Sequence, residues 1–291
     1  MTLPAQPPAS TFRHNRLMQE RMARRKRRAE RTNKTGIIAA IIKIIAKLTA
    51  PVLKFIKAGK IVLAAASAAA YSLIFTWQFA LVILGMLVVH EYGHLVMMKR
   101  ARMKTKGIYL IPFLGAAAVA DSAFTDRRSE AVIALAGPIT GFALSLLCAL
   151  AYFVTGWPFL AAVAAWGALI NLFNLLPVSP LDGGRVAKSL FFSFGSRVGV
   201  TAMALALCAG AWLGWTYKLY IFAVILPLGL LDLFYERRRE NRKAHHIPRL
   251  TKAQTVQFFG LYFALASALL IVMNLMNSEP GAAAALKAMQ G

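Results

Sequence analysis

Two histidines and a glutamate stand inside an apolar stretch: His90, Glu91 and His94 in Val88-Val89-His90-Glu91-Tyr92-Gly93-His94-Leu95-Val96, with residues 61–98 otherwise largely apolar. On a helix, His90 and His94 lie one turn apart on one face, separated by about 40°. That spacing lets two imidazoles converge on one zinc ion, with Glu91 beside them to take a proton from the water such an ion binds. Ionisable groups at membrane depth are costly unless paired or coordinated, so they mark function by default. The pattern His-Glu-x-x-His also arises by chance, so a third ligand and a suitable setting have to be found.

A second polar cluster follows a later apolar run: Asn171-Leu172-Phe173-Asn174-Leu175-Leu176-Pro177-Val178-Ser179-Pro180-Leu181-Asp182-Gly183-Gly184-Arg185. Pro177 and Pro180 remove two backbone donors and end or kink a helix. Gly183 and Gly184 permit the backbone conformations of a sharp turn. Two readings of Asp182 stand. Its carboxylate swings back to the two imidazoles, which leaves a fourth position for water as in a catalytic zinc site; or it is a solvated aspartate in a terminal turn.

The elements that must position these groups are membrane helices. Hydrophobic residues make up 58% of the 291, charged residues 15%, and mean hydropathy is +0.58, outside the range of soluble domains. The net charge of +23 is gathered between apolar runs, which suits membrane orientation and argues against a nucleic-acid partner. Cys148 and Cys208 both fall inside apolar runs and read as small buried hydrophobes.

Taken in order, residues 1–35 form a basic, disordered cytoplasmic arm centred on Arg24-Arg25-Lys26-Arg27-Arg28, with no cleavable signal peptide apparent. Residues 36–60 alternate Ile and Ala with Lys43, Lys47, Lys54 and Lys57, a pattern for an amphipathic helix lying in the headgroup region, with a lysine-bearing span as the alternative. Residues 61–98 are too long for one span of about 20 residues and suffice for a short hairpin of two. Further apolar runs at 130–153, 158–177, 198–215, 218–234 and 255–276 bring the expected count to seven spans, followed by a short tail from 277. Seven spans place every basic connection (99–128, 185–197 and 237–252) on the side of the arm, which the positive-inside rule makes the cytoplasm. The uncharged side carries Trp77, Trp157, Trp215 and Tyr217, an aromatic interfacial belt.

The two separated motifs, His-Glu-x-x-His and Asn-x-x-Pro-x-x-x-Leu-Asp-Gly, resemble those of the site-2 protease family of intramembrane zinc metalloproteases. The match covers residues 90–94 and 174–183, and the runs between them are in compatible order. The resemblance implies one Zn2+ held by His90, His94 and Asp182, Glu91 as general base and acid, and Asn174 assisting the substrate carbonyl. It implies an all-α polytopic fold with a three-helix core at about 79–184 inside a membrane domain of 61–276. The partners implied are the lipid bilayer and a membrane-protein substrate with a transmembrane segment, and the location is a bacterial inner membrane. No connection is long enough for a PDZ domain, and nothing after Met276 forms a nucleotide-sensing domain, so a compact member is expected.

Smaller features complete the reading. Residues 106–121 are too short to span and are broken by Pro112 and Gly115, which suits a re-entrant β-hairpin whose free edge pairs with substrate backbone, or an interfacial loop that merely packs. Gly137-Pro138-Ile139-Thr140-Gly141 is a close helix-packing motif rather than a chemical one. Two other functions fit the same metal-binding triad: a metal transporter using it as a transit site, and an inactive scaffold that binds membrane helices.

Overall fold

The computed structural model describes residues 59–73, 76–112, 115–121, 124–240 and 247–279. The expected basic arm (1–35), nearly all of the amphipathic segment (36–60) and most of the tail from 277 lie outside the described residues, as do His14, His245 and His246. The rest is mostly helical with one small sheet. In chain order it runs α1 (Lys60–Ser72), α2 (Trp77–Arg100), β1 (Thr105–Ile111), β2 (Gly115–Ala120), α3 (Arg127–Thr155), α4 (Pro158–Asn174), α5 (Asp182–Phe194), α6 (Ser196–Thr216), α7 (Phe222–Glu240) and α8 (Lys252–Asn277).

Local chemistry sets the boundaries. Asp126 caps α3 by accepting the Ser129 N–H at 2.7 Å, and Gly156 closes it in the left-handed conformation that costs glycine least. Pro158 opens α4 at a position where its missing N–H is not needed. Thr251 and Gln254 form a reciprocal capping box at the start of α8.

Among the described residues, four helices (α2, α3, α6 and α8) have the length and composition to cross a membrane. The seven expected spans are therefore not matched one for one. Helix α1 has 13 residues and α4 has 17, or about 20 and 26 Å of rise, short of a hydrocarbon core of about 30 Å. Helix α7 is apolar only in its first half and carries Asp232, Glu236 and Arg237 to Arg239 in its second. The expected hairpin at 61–98 does form two helices, α1 and α2.

Helix α3 packs between α2 and α4, and α8 covers α3 and α4. Small side chains make this approach close: Ala131, Ala134, Ala161, Ala164, Ala165 and Ala168 are all buried in the shared core. Cys148 is half-buried and Cys208 is exposed on α6, against the expectation that both are buried. An apolar residue on a membrane helix faces outward at no cost when lipid is its solvent. Trp77, Trp157, Trp215 and Tyr217 are exposed at helix ends.

The segment between α2 and α3 is a two-stranded antiparallel hairpin, with Ile108 opposite Ala118 and Ile111 opposite Gly115. A bulge between Thr105 and Gly107 precedes it, and Lys106 Nζ reaches Asp121 Oδ1 at 2.9 Å across its open end. The hairpin lies against α1 and α2.

A buried charge network joins α3, α5 and α7. Arg127, with no exposed surface, reaches Glu130 at 3.0 Å, Glu236 at 2.5 Å and Glu240 at 3.4 Å, and stacks over the Phe192 ring at 5.0 Å. Lys188 reaches Glu130 at 3.1 Å and Asp232 at 3.2 Å. Burial alone would lower the Lys188 pKa, but Glu130, Asp232 and Glu236 outweigh it and hold the ammonium above its ordinary value. Arg127→Met takes one buried cation from three carboxylates, leaving Lys188 and Arg249 as their remaining cationic partners, and is expected to destabilise the fold by about 3–5 kcal/mol. Thermal unfolding in detergent micelles checks this, with Lys106→Met, at an exposed pair, expected to leave the melting temperature where it was.

Candidate metal centre

The catalytic-looking residues come from three elements, α2, α4 and α5. His90, Glu91 and His94 sit on α2, all three buried. Asp182 is the first residue of α5, and its carboxylate lies at that helix's positive N-terminal end. The segment between α4 and α5 folds so tightly on α5 that a Cβ on Gly183 would meet the Leu175 carbonyl, and one on Gly184 the Ser179 backbone N–H. Both glycines are helical, without positive φ, so they serve close approach and not the unusual backbone conformation expected from the sequence. Ser179 Oγ donates to Asp232 Oδ2 at 2.7 Å, which ties this turn to α7.

Asp182 Oδ2 stands 3.0 Å from His90 Nε2 and 3.1 Å from His94 Nε2, and the two Nε2 atoms are 3.1 Å apart. The proton positions follow from the outer partners. His94 Nδ1 faces the Ile133 carbonyl at 2.7 Å, an acceptor only, so this nitrogen donates. His90 Nδ1 faces Asn171 Oδ1 at 2.8 Å, while the Asn171 amide Nδ2 donates to the Gly167 carbonyl at 2.7 Å. That fixes oxygen as the end of Asn171 turned to His90, so His90 Nδ1 donates as well. In the neutral rings both Nε2 atoms then present bare lone pairs.

Three lone-pair atoms meet with no proton among them. In water-excluded surroundings this is repulsive unless a cation sits between them. Four ligands about 2.0–2.1 Å from a zinc ion at tetrahedral corners lie about 3.3 Å apart. Three atoms 3.0–3.1 Å apart make one face of such a tetrahedron, leaving one corner open. Gly137 of α3 lies against both rings: a Cβ on it would lie 2.7 Å from His90 Nε2 and closer still to His94 Nε2, where no carbon fits. The donor set therefore fits a zinc ion.

Glu91 is placed differently. A carboxylate oxygen of Glu91 lies within 4.8 Å of a ring nitrogen of each histidine, but its Oε2 accepts the Ala118 N–H of β2 at 2.6 Å. Asn174, the last residue of α4, is half-buried, and among the described residues no hydrogen bond joins it to the cluster. The asparagine in contact is Asn171, one turn earlier; the sequence signal for it was a carboxamide inside an otherwise apolar helix. Gly137 and the backbone groups of Ile133 and Ala118 carry no signal that could have singled them out.

The model of peptidase family M50 matches residues 78–159. That match covers under a third of the chain, and what it shows is similarity to the family over this stretch. The matched stretch contains His90, Glu91, His94, the hairpin and Gly137, and it ends before Asn171 and Asp182. Rip3 of Mycobacterium tuberculosis is 37% identical over 118 residues, 38% of this chain and 30% of that protein. Zinc metalloprotease MJ0392 of Methanocaldococcus jannaschii is 32% identical over 108 residues, 35% of this chain and 31% of that protein. Stage IV sporulation protein FB of Bacillus subtilis is 27% identical over 175 residues, 57% of this chain and 60% of that protein. The chain thus spans about a third of the length of the first two relatives. A solved site-2 protease from Methanocaldococcus jannaschii overlaps 66% of this chain and 91% of its own, at a TM-score of 0.41 and 22% identity.

Proposed function

We propose that this chain is an intramembrane zinc metalloprotease that hydrolyses a peptide bond within or next to a transmembrane segment of a membrane-protein substrate. The observation that carries the reading is the triangle of lone pairs on His90, His94 and Asp182, with Glu91 beside it and unused as a ligand. The three residues would hold one zinc ion, which when bound lowers the pKa of its water towards 7 and polarises a carbonyl.

The chain's own residues supply the rest. The Ala118 N–H holds Glu91 Oε2 and leaves Oε1 to accept the proton of the attacking water and return it to the leaving amine. Strand β2 has β1 on one side, and at Ala118 its other edge faces Glu91. An extended substrate segment added along that edge would bring its scissile amide beside the base, freed from the helical hydrogen bonds that otherwise shield it. Asn174, partly accessible at the end of α4, would hydrogen-bond the substrate carbonyl. Lys99 and Arg100 at the end of α2 support, by the positive-inside rule, a site toward the cytoplasmic face of the inner membrane.

Purified protein is expected to hold one zinc per chain, to lose peptide hydrolysis of a membrane-helix substrate on chelation, and to regain it on zinc addition. Zinc flux into proteoliposomes without proteolysis would instead make the triad a transit site and sink the protease reading.

A further inference from the structure

We infer that Asn171 is a positioning residue that fixes the ring state of His90 and so keeps the metal triad open. This rests on the zinc reading of the triad and goes past it to how the chain maintains the site. Asn171 is 2% exposed, on a helix whose other buried residues are Ala, Val and Gly. Burying a carboxamide there costs free energy unless both of its ends are bonded. Both are: Nδ2 to the Gly167 carbonyl at 2.7 Å, and Oδ1 to His90 Nδ1 at 2.8 Å. Space is reserved for it on α3 as well, because a Cβ on Gly141 would overlap the carboxamide.

The consequence lies on the far side of the ring. His90 Nε2 is 3.0 Å from Asp182 Oδ2. A His90 proton on Nε2 would make a short charge-assisted bond to that carboxylate, and the triad would close on itself without metal. With an acceptor at Nδ1 the proton stays there, and Nε2 and Oδ2 both remain lone-pair ends. The Ile133 carbonyl does the same for His94 from the backbone, so Asn171 is the side chain on which the arrangement depends. Partners of this kind orient a ligating histidine and raise its basicity.

The test compares full-length wild type, Asn171→Leu and Asn171→Asp in detergent micelles. Leu matches the volume and removes the acceptor; Asp keeps the acceptor and gives up the Gly167 bond. Nitrogen-15 NMR of the metal-free wild type is expected to find the His90 proton on Nδ1, and Asn171→Leu to move it to Nε2. Zinc affinity by chelator competition is expected to fall about 10–100-fold in Asn171→Leu, and Asn171→Asp to stay close to wild type. Wild-type affinity in Asn171→Leu overturns the inference. So does an Asn171→Asp protein as weak as the Leu variant, which would make the side chain a packing element only, or an Nε2 proton on His90 in the metal-free wild type. A wild type that holds no zinc removes the underlying metal reading, and the NMR comparison in that metal-free protein still decides for or against Asn171.

Discussion

Glu91→Gln is expected to keep zinc at wild-type stoichiometry while peptide hydrolysis falls at least about 10²–10⁴-fold, the contribution of a positioned general base. The two effects separate because the carboxylate does two things at two oxygens. Its Oε2 accepts the Ala118 N–H at 2.6 Å, and a glutamine carbonyl accepts that bond equally well, so the side chain and strand β2 stay in place. What the amide cannot do is take a proton from water and hand it on. The three lone-pair atoms of His90, His94 and Asp182 are untouched, so metal content is unchanged. His94→Ala gives the contrasting pattern, losing zinc and hydrolysis together. Metal analysis alongside a cleavage assay on a membrane-helix substrate reads both arms. Wild-type turnover by Glu91→Gln takes Glu91 out of the proton-transfer role. An inactive protein that still binds zinc also serves as a trap, since co-expression would retain uncleaved membrane proteins on it.

The residues that meet in the structure, His90, His94 and Asp182, stood out in the sequence because their chemistry is conspicuous in an apolar chain. Two histidines at helical spacing inside a membrane-like run have few uses other than a metal, and Asp182 stands just beyond the next but one apolar run. The hairpin was legible too, since Pro112 and Gly115 break a run too short to span. What the sequence could not show is how the ligands are kept in place. Ile133 acts through a carbonyl and Ala118 through an N–H, and every residue but proline carries both groups. Asn171 and Asn174 are equivalent in type and one turn apart, and only packing decides which one faces His90. Gly183 and Gly184 read as turn residues from type alone, whereas in the structure they are helical and make room for the turn that packs on them. The span count slipped for a related reason. Hydropathy registers an apolar run but not where the helix stops, and α1, α4 and α7 each stop, or become charged, before a full crossing.

Gly137→Ala tests the site from the side where no ligand is touched. Glycine in mid-helix costs about 1 kcal/mol relative to alanine, so on helix propensity alone the substitution stabilises α3. In this site, however, the added methyl would lie 2.7 Å from His90 Nε2 and nearer to His94 Nε2, well inside the separation that carbon and nitrogen tolerate. The rings cannot easily retreat, because each is held from behind: His94 by the Ile133 carbonyl at 2.7 Å and His90 by Asn171 at 2.8 Å. The methyl therefore crowds both Nε2 atoms at once. The expected result is a protein that still folds, its melting temperature in detergent somewhat below that of metal-free wild type because overpacking costs about 1–3 kcal/mol, with zinc affinity down by more than about 100-fold, beyond the range of a lost outer hydrogen bond. Hydrolysis should vanish at any zinc concentration that leaves this variant empty. Gly141→Ala is the internal comparison: its methyl would press on the Asn171 carboxamide and not on the ligands, so its effect passes through one hydrogen bond and should be the smaller of the two. Zinc bound by Gly137→Ala at wild-type affinity would mean that the ion does not occupy the space between α2 and α3, and the triangle of His90, His94 and Asp182 would need another explanation.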